Sequence, residues 1–282
     1  MAYKSWHASR GNRLFKRARR GTSEVLTTLI LFSVMFTLVV TASSVANETV
    51  NAQVENAEFE QAKNVLLSLD KLVKIVMYKP DSSGYVKTSF FTVLPYLVQP
   101  QRNLTVEIYD DLLLHNLTRS VPATQIKIKG GPRTGVGLDV DLVGQGSLIL
   151  TQTSDSIGRV HVYQSQGAWI SLDYLRVTCI NTGTTQYYNS TTSAYETYNC
   201  VEVTLVNLVF KEIQLQENSH FIVGCKGVEA AQFKQIPPGR NFHVKVRSGL
   251  NGASETLTLN SSYKSLVTLS VFDLELSALE GA

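Results

Sequence analysis

The chain has 282 residues, of which 17% are charged, and its formal net charge is +3. Residues 1–20 hold seven basic side chains and no acidic one, so loss of this segment would take the net charge from +3 to about −4. The rest of the chain therefore lacks the basic surplus of a nucleic-acid-binding protein, and we expect no nucleic-acid partner. Its low charge and high Ser and Thr content suit an exported surface protein.

The first predicted element is a long helix over residues 22–80, because no Gly or Pro interrupts the chain between Gly21 and Pro80. The 22 residues from 25 to 46 carry no charge. At a rise of about 1.5 Å per residue, they can cross the hydrocarbon core of a bilayer. The alternative interpretation is a buried core helix. Hydroxyl groups in this run, such as those of Thr28 and Thr37, can donate to carbonyls one turn earlier.

Residues 47–79 are predicted to continue the helix in amphipathic form. An apolar stripe recurs at spacings of three and four and must be buried; it comprises Val50, Val54, Ala57, Val65, Leu69, Leu72 and Val76. Charged residues mostly lie off this stripe, and Pro80 with the turn residues after it ends the helix.

Charge on the two sides of the apolar run predicts its orientation. The basic residues 1–20 precede it, whereas Glu48, Glu55, Glu58 and Glu60 follow it. Since positive charge stays in the cytoplasm, we expect a cytoplasmic N-terminus and residues 47–282 outside the cell.

Residues 81–282 are predicted to form one large β-rich domain, which makes the fold α+β. Short alternating segments separated by turn signals favour an antiparallel β-sandwich. The predicted strands are Val86–Leu94, Leu104–Tyr109, Thr124–Lys129, Val136–Leu142, Ser147–Gln152, Arg159–Gln164, Ala168–Ile180, Cys200–Ile213, His220–Cys225, Phe242–Arg247, Glu255–Leu259 and Leu266–Leu276. Alternation is clearest in Val136–Leu142 and in Val267–Val271, whose apolar side chains are predicted to face the core. Residues 130–135 are predicted to be a loop and not a phosphate site, because no Lys-Ser/Thr pair ends them.

The start of the helix resembles a known export signal. A basic arm leads into Arg19-Arg20-Gly21-Thr22-Ser23-Glu24, and a long apolar helix follows. This arrangement resembles the class III signal peptide of archaeal type IV pilins and archaellins. It covers roughly residues 10–80 by motif, and the β domain by architecture alone. An acidic third residue and a Thr at the first mature position depart from the better-known bacterial pattern.

The resemblance implies a function in assembly. A membrane prepilin peptidase would cut between Gly21 and Thr22, which makes residues 1–21 a cytoplasmic leader. The helix would then bundle with other pilin-like subunits, and Glu24 would pair with the free amine of Thr22 on a neighbour. The residues implied in assembly are Glu24, Val25, Leu26, Leu29, Phe32 and Phe36. The expected location is the cell membrane or a surface filament.

Two other interpretations stay open. An uncleaved signal anchor would hold an ectodomain that binds a ligand, a glycan or an S-layer partner without polymerising. Alternatively, Ser44-Val45-Ala46 offers the small residues that signal peptidase requires, and cleavage before Asn47 would release a secreted β protein.

The three cysteines all lie in the β domain. Cys179 ends one predicted strand and Cys200 begins another, so a disulfide between them is predicted to clip the loop from 181 to 199. Cys225 is left as a buried free thiol or as an alternative partner.

Five Asn-x-Ser/Thr sequons occur, at Asn47 and at four candidate glycosylation sites: Asn103, Asn116, Asn189 and Asn260. Asn189 lies in the predicted loop with Tyr187, Tyr188, Tyr195 and Tyr198. This loop is the candidate surface for contact or adhesion, and a merely tolerated surface loop is the alternative.

No motif indicates catalysis, a cofactor or a small-molecule substrate. The five histidines, His7, His115, His161, His220 and His243, are scattered, and the cysteine spacing fits no zinc site. Asp139 and Asp141 share one predicted strand face, which is a weak cation pattern. We therefore expect neither an enzyme nor a metal site.

Overall fold

The fold is taken from a computed structural model, and the structure describes residues 11–89, 92–98, 102–112, 116–213, 218–232, 236–250 and 252–280. The first ten residues of the predicted leader, residues 90–91 of the predicted strand Val86–Leu94 and His115 lie outside the described residues.

One long helix opens the described chain. Helix α1 spans Gly11–Met77, or 67 residues, so it begins before Gly21 and includes part of the predicted leader. Gly21 inside the helix lowers helix stability by about 1 kcal/mol relative to Ala, and the neighbouring Arg and Lys residues, which are good helix formers, offset this loss. The helix ends where predicted: Pro80 follows it, Asp81 takes a φ of +63°, and Ser82 Oγ donates to the Lys79 carbonyl at 2.5 Å.

Fifteen described strands follow the helix. They are β1 (Ser83–Ser89), β2 (Leu94–Val98), β3 (Asn103–Asp110), β4 (Asn116–Pro122), β5 (Gln125–Lys129), β6 (Val140–Val143), β7 (Ile149–Leu150), β8 (Arg159–Gln164), β9 (Ala168–Asp173), β10 (Val177–Asn189), β11 (Ala194–Ile213), β12 (Asn218–Gln232), β13 (Asn241–Ser248), β14 (Ser254–Asn260) and β15 (Lys264–Glu280). The predicted β-rich domain is therefore present, and β8 matches its predicted bounds. The predicted strand Ala168–Ile180 is two strands, β9 and β10, and β4 was not predicted.

The strands form three sheets. A six-stranded sheet has the order β1-β12-β15-β11-β10-β7, a four-stranded sheet has β14-β13-β3-β4, and a five-stranded sheet has β2-β5-β9-β8-β6. Pairing is antiparallel except between β11 and β15 and between β10 and β7, which run parallel. The sheets are thus mainly antiparallel, as predicted, and the six-stranded sheet is mixed.

Two hydrophobic clusters share the long strands β11 and β15. The first halves of these strands bury Val203 and Leu269 together with side chains of the four-stranded sheet. Their second halves bury Leu208 and Leu274 together with α1 and the five-stranded sheet. The buried residues have odd numbers in the first halves and even numbers in the second halves. Because successive side chains of a strand point to opposite faces, β11 and β15 are covered first on one face and then on the other.

The chain divides into two compact units, residues 1–54 and residues 55–282. The C-terminal part of α1, from Glu55 to Met77, belongs to the second unit, which we call the β domain.

Candidate assembly helix and exposed ribbon

The N-terminal unit presents an apolar helical surface on every side. Every side chain from Glu24 to Asn51 is exposed. The apolar side chains implied in assembly are 62–72% exposed: Val25, Leu26, Leu29, Phe32 and Phe36. The described part of α1 is long and apolar enough to cross a membrane. A helix that is hydrophobic all round needs apolar surroundings, either lipid or other helices.

Threonine hydroxyl groups of this segment donate to carbonyls within the helix. Thr28 Oγ1 donates to the Glu24 carbonyl at 3.0 Å, Thr37 Oγ1 to the Ser33 carbonyl at 2.9 Å, and Thr41 Oγ1 to the Thr37 carbonyl at 2.8 Å. Donation to the previous turn was expected, and it lets these residues lie in an apolar environment.

Glu24 stands at the start of the apolar segment. Its side chain is exposed. The backbone of Gly21 and Thr22 is helical, so the predicted processing site lies inside α1. The carboxylate would be costly to place in an apolar environment without a partner.

The buried face of α1 in the β domain differs from the predicted stripe. Val65, Leu69 and Val76 are buried as predicted, whereas Val50 and Val54 are 54% and 46% exposed and Ala57 is exposed. The observed buried face comprises Glu55, Glu58, Phe59, Ala62, Val65, Leu66, Leu69, Asp70, Val73, Val76 and Met77. The expectation that charged residues mostly lie off the buried face has three exceptions, all carboxylates, because loops of the β domain bind them.

The first two carboxylates bind neighbouring loops. Glu55 accepts hydrogen bonds from the Arg133 backbone N–H at 2.6 Å and from Arg133 Nη1 at 3.0 Å. Residues 130–135 are therefore a loop, as predicted, and they hold a carboxylate of the chain itself. A Cβ on Gly131 would lie 2.6 Å from Glu55 Oε2, so any other residue here would displace the Glu55 side chain. Glu58 Oε2 accepts from the Thr92 backbone N–H at 2.7 Å and from Thr92 Oγ1 at 2.5 Å.

The third carboxylate is the most buried. Asp70, 2% exposed, accepts hydrogen bonds from Ser156 Oγ at 3.1 Å and from the Tyr174 hydroxyl at 3.5 Å, and it pairs with Lys74 at 3.0 Å. Burial, followed by the nearby Asp70 charge, raises the pKa of Tyr174 well above its ordinary value, so this phenol stays a donor. A Cβ built on Gly158 would overlap Asp70 Oδ1.

The predicted Cys179–Cys200 disulfide is wrong. All three cysteines are free thiols, with Cys179 and Cys225 buried. In the β10–β11 hairpin Cys179 lies opposite Val203, and Cys200 lies opposite Gly183. The two cysteines are thus about 10 Å apart along the strands and on opposite faces, beyond the reach of a disulfide. Burial raises the pKa of Cys179 to about 12, so it is a poor nucleophile.

The predicted Tyr-rich loop is a β-ribbon. β10 and β11 continue as an antiparallel pair to a tip at residues 190–193. We call residues 183–197 the ribbon. Tyr187, Tyr188 and Tyr195 are 53%, 58% and 72% exposed. The high Thr and Tyr content is the signal that could have predicted strands here, because β-branched and aromatic residues favour them.

One carboxylate organises the base of the ribbon. Glu196 accepts hydrogen bonds from Lys264 Nζ at 2.5 Å, from the Tyr198 hydroxyl at 2.7 Å and from Asn189 Nδ2 at 2.8 Å. These donors, Lys264 first, lower the pKa of Glu196 to about 2, so it is ionised at neutral pH. The same contact raises the pKa of Lys264. The charges of the pair therefore cancel.

The candidate glycosylation sites lie at the ends of strands. Asn103 and Asn116 begin β3 and β4, and Asn260 ends β14; all three are exposed. Asn189 ends β10 and its amide already donates to Glu196. Modification at these positions stays a prediction.

The predicted strand Val136–Leu142 is mostly wrong, and three of its apolar side chains are exposed instead of facing the core. Only its end forms a strand, β6, and Leu138, Val140 and Leu142 are 82%, 46% and 37% exposed. Asp141 instead contacts Arg159 Nε at 2.6 Å and His161 Nδ1 at 2.8 Å. Among the described residues, no group of three His, Cys, Asp or Glu side chains could hold a metal ion. His161, His220 and His243 lie in β8, β12 and β13, in sheets as predicted.

Comparison with known proteins returns no match. No protein-family model, no curated protein and no solved structure matches the chain. The proposal below therefore depends on the sequence motif and on the geometry of the helix and the β domain.

Proposed function

We propose that this chain is a pilin-like structural subunit, or a minor component, of an archaeal-type filament on the cell surface. The observation that carries the proposal is the apolar part of α1, whose side chains are exposed on every side from Glu24 to Asn51. The same helix continues to Met77 and is packed into a folded β domain. A chain built in this way can bury its apolar segment among helices of other copies and still carry a β domain.

The proposed assembly begins with cleavage between Gly21 and Thr22 by a prepilin peptidase. Gly21 lowers the cost of opening α1 there by about 1 kcal/mol relative to Ala. Cleavage frees the Thr22 amine, and Glu24 of one copy pairs with the Thr22 amine of a neighbour. This ion pair offsets the cost of a carboxylate in an apolar bundle and fixes the register of the helices.

The proposed topology follows from charge. The basic segment before Gly21 stays in the cytoplasm and the β domain lies outside the cell, where its exposed sequons can accept glycans. In the same proposal, the four-stranded and six-stranded sheets, which contribute to one hydrophobic cluster, pack as a β-sandwich.

The decisive experiment is the N-terminal mass of protein taken from native membranes or surface filaments. A start at Thr22 would support processing, and a start at Asn47 would overturn the proposal because it removes the apolar helix. In the Glu24→Ala variant we expect filament yield to fall at least about tenfold while the β domain stays folded. Glu48→Ala, an exposed carboxylate beyond the apolar run, is the matched control, and normal filaments from Glu24→Ala would refute the pairing.

A second candidate is a signal-anchored protein that does not polymerise. The ribbon favours it, because exposed tyrosines on a rigid hairpin suit recognition of a ligand, a glycan or a surface-layer partner. This candidate predicts a start at Met1 and monomers on release by detergent.

A further inference from the structure

The ribbon has an unpaired strand edge. β7 pairs with β10 at Val177 and Thr178 alone, so from Cys179 to Asn189 the outer edge of β10 has no strand neighbour among the described residues. After the irregularity between Asn181 and Gly183, the strand pairs regularly with β11 up to Asn189. The peptide groups along this edge can therefore accept another strand.

This edge also lacks the usual protection against pairing. Five other described edge strands each carry a charge or a proline: Lys87 in β1, Arg119 in β4, Glu255 in β14, Pro95 in β2 and Asp141 in β6. The remaining edge strand, β7, has only two residues, Ile149 and Leu150. Residues 183–189 of β10, Gly-Thr-Thr-Gln-Tyr-Tyr-Asn, have neither. Charged side chains and prolines are the devices that prevent edge-to-edge association, and their absence here marks this edge as available.

The ribbon is held in place before any partner arrives. Tyr188 and Tyr195 form an edge-to-face pair across the two strands with ring centroids 5.3 Å apart, and Tyr187 packs on Tyr198 at 5.5 Å. The Glu196–Lys264 ion pair ties the ribbon to the start of β15. A partner strand would therefore bind without first ordering its target, which lowers the entropic cost of association.

We propose that the ribbon joins two copies of this chain by antiparallel pairing of β10 with β10 about a twofold axis at Gln186. A twofold axis makes the contact self-complementary. In this register Thr184 faces Tyr188 and Thr185 faces Tyr187 of the second copy. Pairs of an aromatic and a β-branched residue are among the favourable cross-strand pairs. No charge meets a like charge, because residues 183–189 are uncharged. The contact does not depend on cleavage at Gly21 or on filament assembly.

The test places charges at the centre of the contact. Gln186→Lys and Gln186→Glu are prepared separately in the full chain, and self-association in detergent is measured by analytical ultracentrifugation. Each variant alone sets like charges opposite each other, so its dissociation constant should rise at least about tenfold. An equimolar mixture sets Lys against Glu and should recover wild-type affinity to within about threefold. Thr256→Lys, on the protected edge strand β14, is the matched control and should associate like wild type.

A second measurement reports the register directly. In a Cys200→Ser background, Gln186→Cys should give a disulfide-linked dimer under mild oxidation, and Thr256→Cys should not. Three results would overturn the proposal: wild type that does not associate, charged variants that associate like wild type, or a mixture that fails to recover. Association through α1 alone would be equal in all variants, so it is distinguished from the ribbon contact.

Discussion

At the scale of single residues, carboxylates fix α1 to the loops of the β domain. Glu55, Glu58 and Asp70 lie on the buried face of the helix, and each accepts at least two hydrogen bonds. Buried carboxylates are tolerated when they are bonded in this way, and removing one partner leaves the other group unsatisfied. Gly131 and Gly158 admit these side chains, because a Cβ at either position would collide with the carboxylate.

Gly158→Ala should destabilise the β domain by about 1–3 kcal/mol, because the added methyl group would overlap Asp70 Oδ1 and approach Tyr174 Cε1 to 3.0 Å. Denaturant unfolding of the full chain in detergent gives the free energy of unfolding. Gly135→Ala is the control, since a Cβ there meets nothing within 4 Å, and its effect should stay within about 0.5 kcal/mol. Equal stabilities of the two variants would show that the Asp70 contact is not tight.

At the scale of elements, α1 changes its environment along its length. Its N-terminal part exposes apolar side chains in every direction, whereas from Glu55 onward one face is buried and the other is exposed. Leu69 is fully buried on that face, and Ile75 is 60% exposed although both are large and apolar. Burial, and not residue type, therefore decides how much each side chain contributes to stability.

Leu69→Ala should lower the free energy of unfolding by about 2–5 kcal/mol, because it leaves a cavity between α1 and the sheets. Ile75→Ala, on the exposed face of the same helix, should change it by less than about 0.5 kcal/mol. Thermal or denaturant unfolding followed by circular dichroism compares the two variants. A large loss from Ile75→Ala would mean that the exposed face is covered, and the assignment of faces would be wrong.

At the scale of the whole β domain, β11 and β15 connect the two hydrophobic clusters. Each strand buries residues of one cluster in its first half and of the other in its second half. Neither cluster can lose its packing without disturbing strands that the other one uses. We therefore expect the β domain to unfold in one cooperative transition.

Phe242→Ala tests this cooperativity. Phe242 lies in the cluster of the four-stranded sheet, and Trp169 lies in β9 of the five-stranded sheet, which packs on the other cluster. In a Trp6→Phe background, Trp169 is the sole remaining tryptophan. In denaturant unfolding, Phe242→Ala should shift the midpoint measured by Trp169 fluorescence as far as the midpoint measured by circular dichroism. A fluorescence midpoint that stays at the wild-type value would indicate two independent folding units.

The long helix, its uncharged segment and the β-rich domain after it could all be predicted from the sequence alone. These features depend on local properties: uninterrupted helix formers, apolar length and the period of two in strands such as β8. For the same reason Thr28 and Thr37 could be assigned to bonds within the helix, since their partners lie three or four residues away.

Which faces are buried and which distant groups come into contact could be read from the folded chain alone. Asp70 is buried because Ser156 and Tyr174, distant in the sequence, reach it, and periodicity carries no trace of them. Cys179 and Cys200 stay apart because the register of one hairpin sets them on opposite faces. Leu138 is exposed and lies outside any strand, because β6 begins only at Val140. Register, sheet edges and long-range hydrogen bonds depend on pairing between distant segments, and a single strand's pattern does not contain that information.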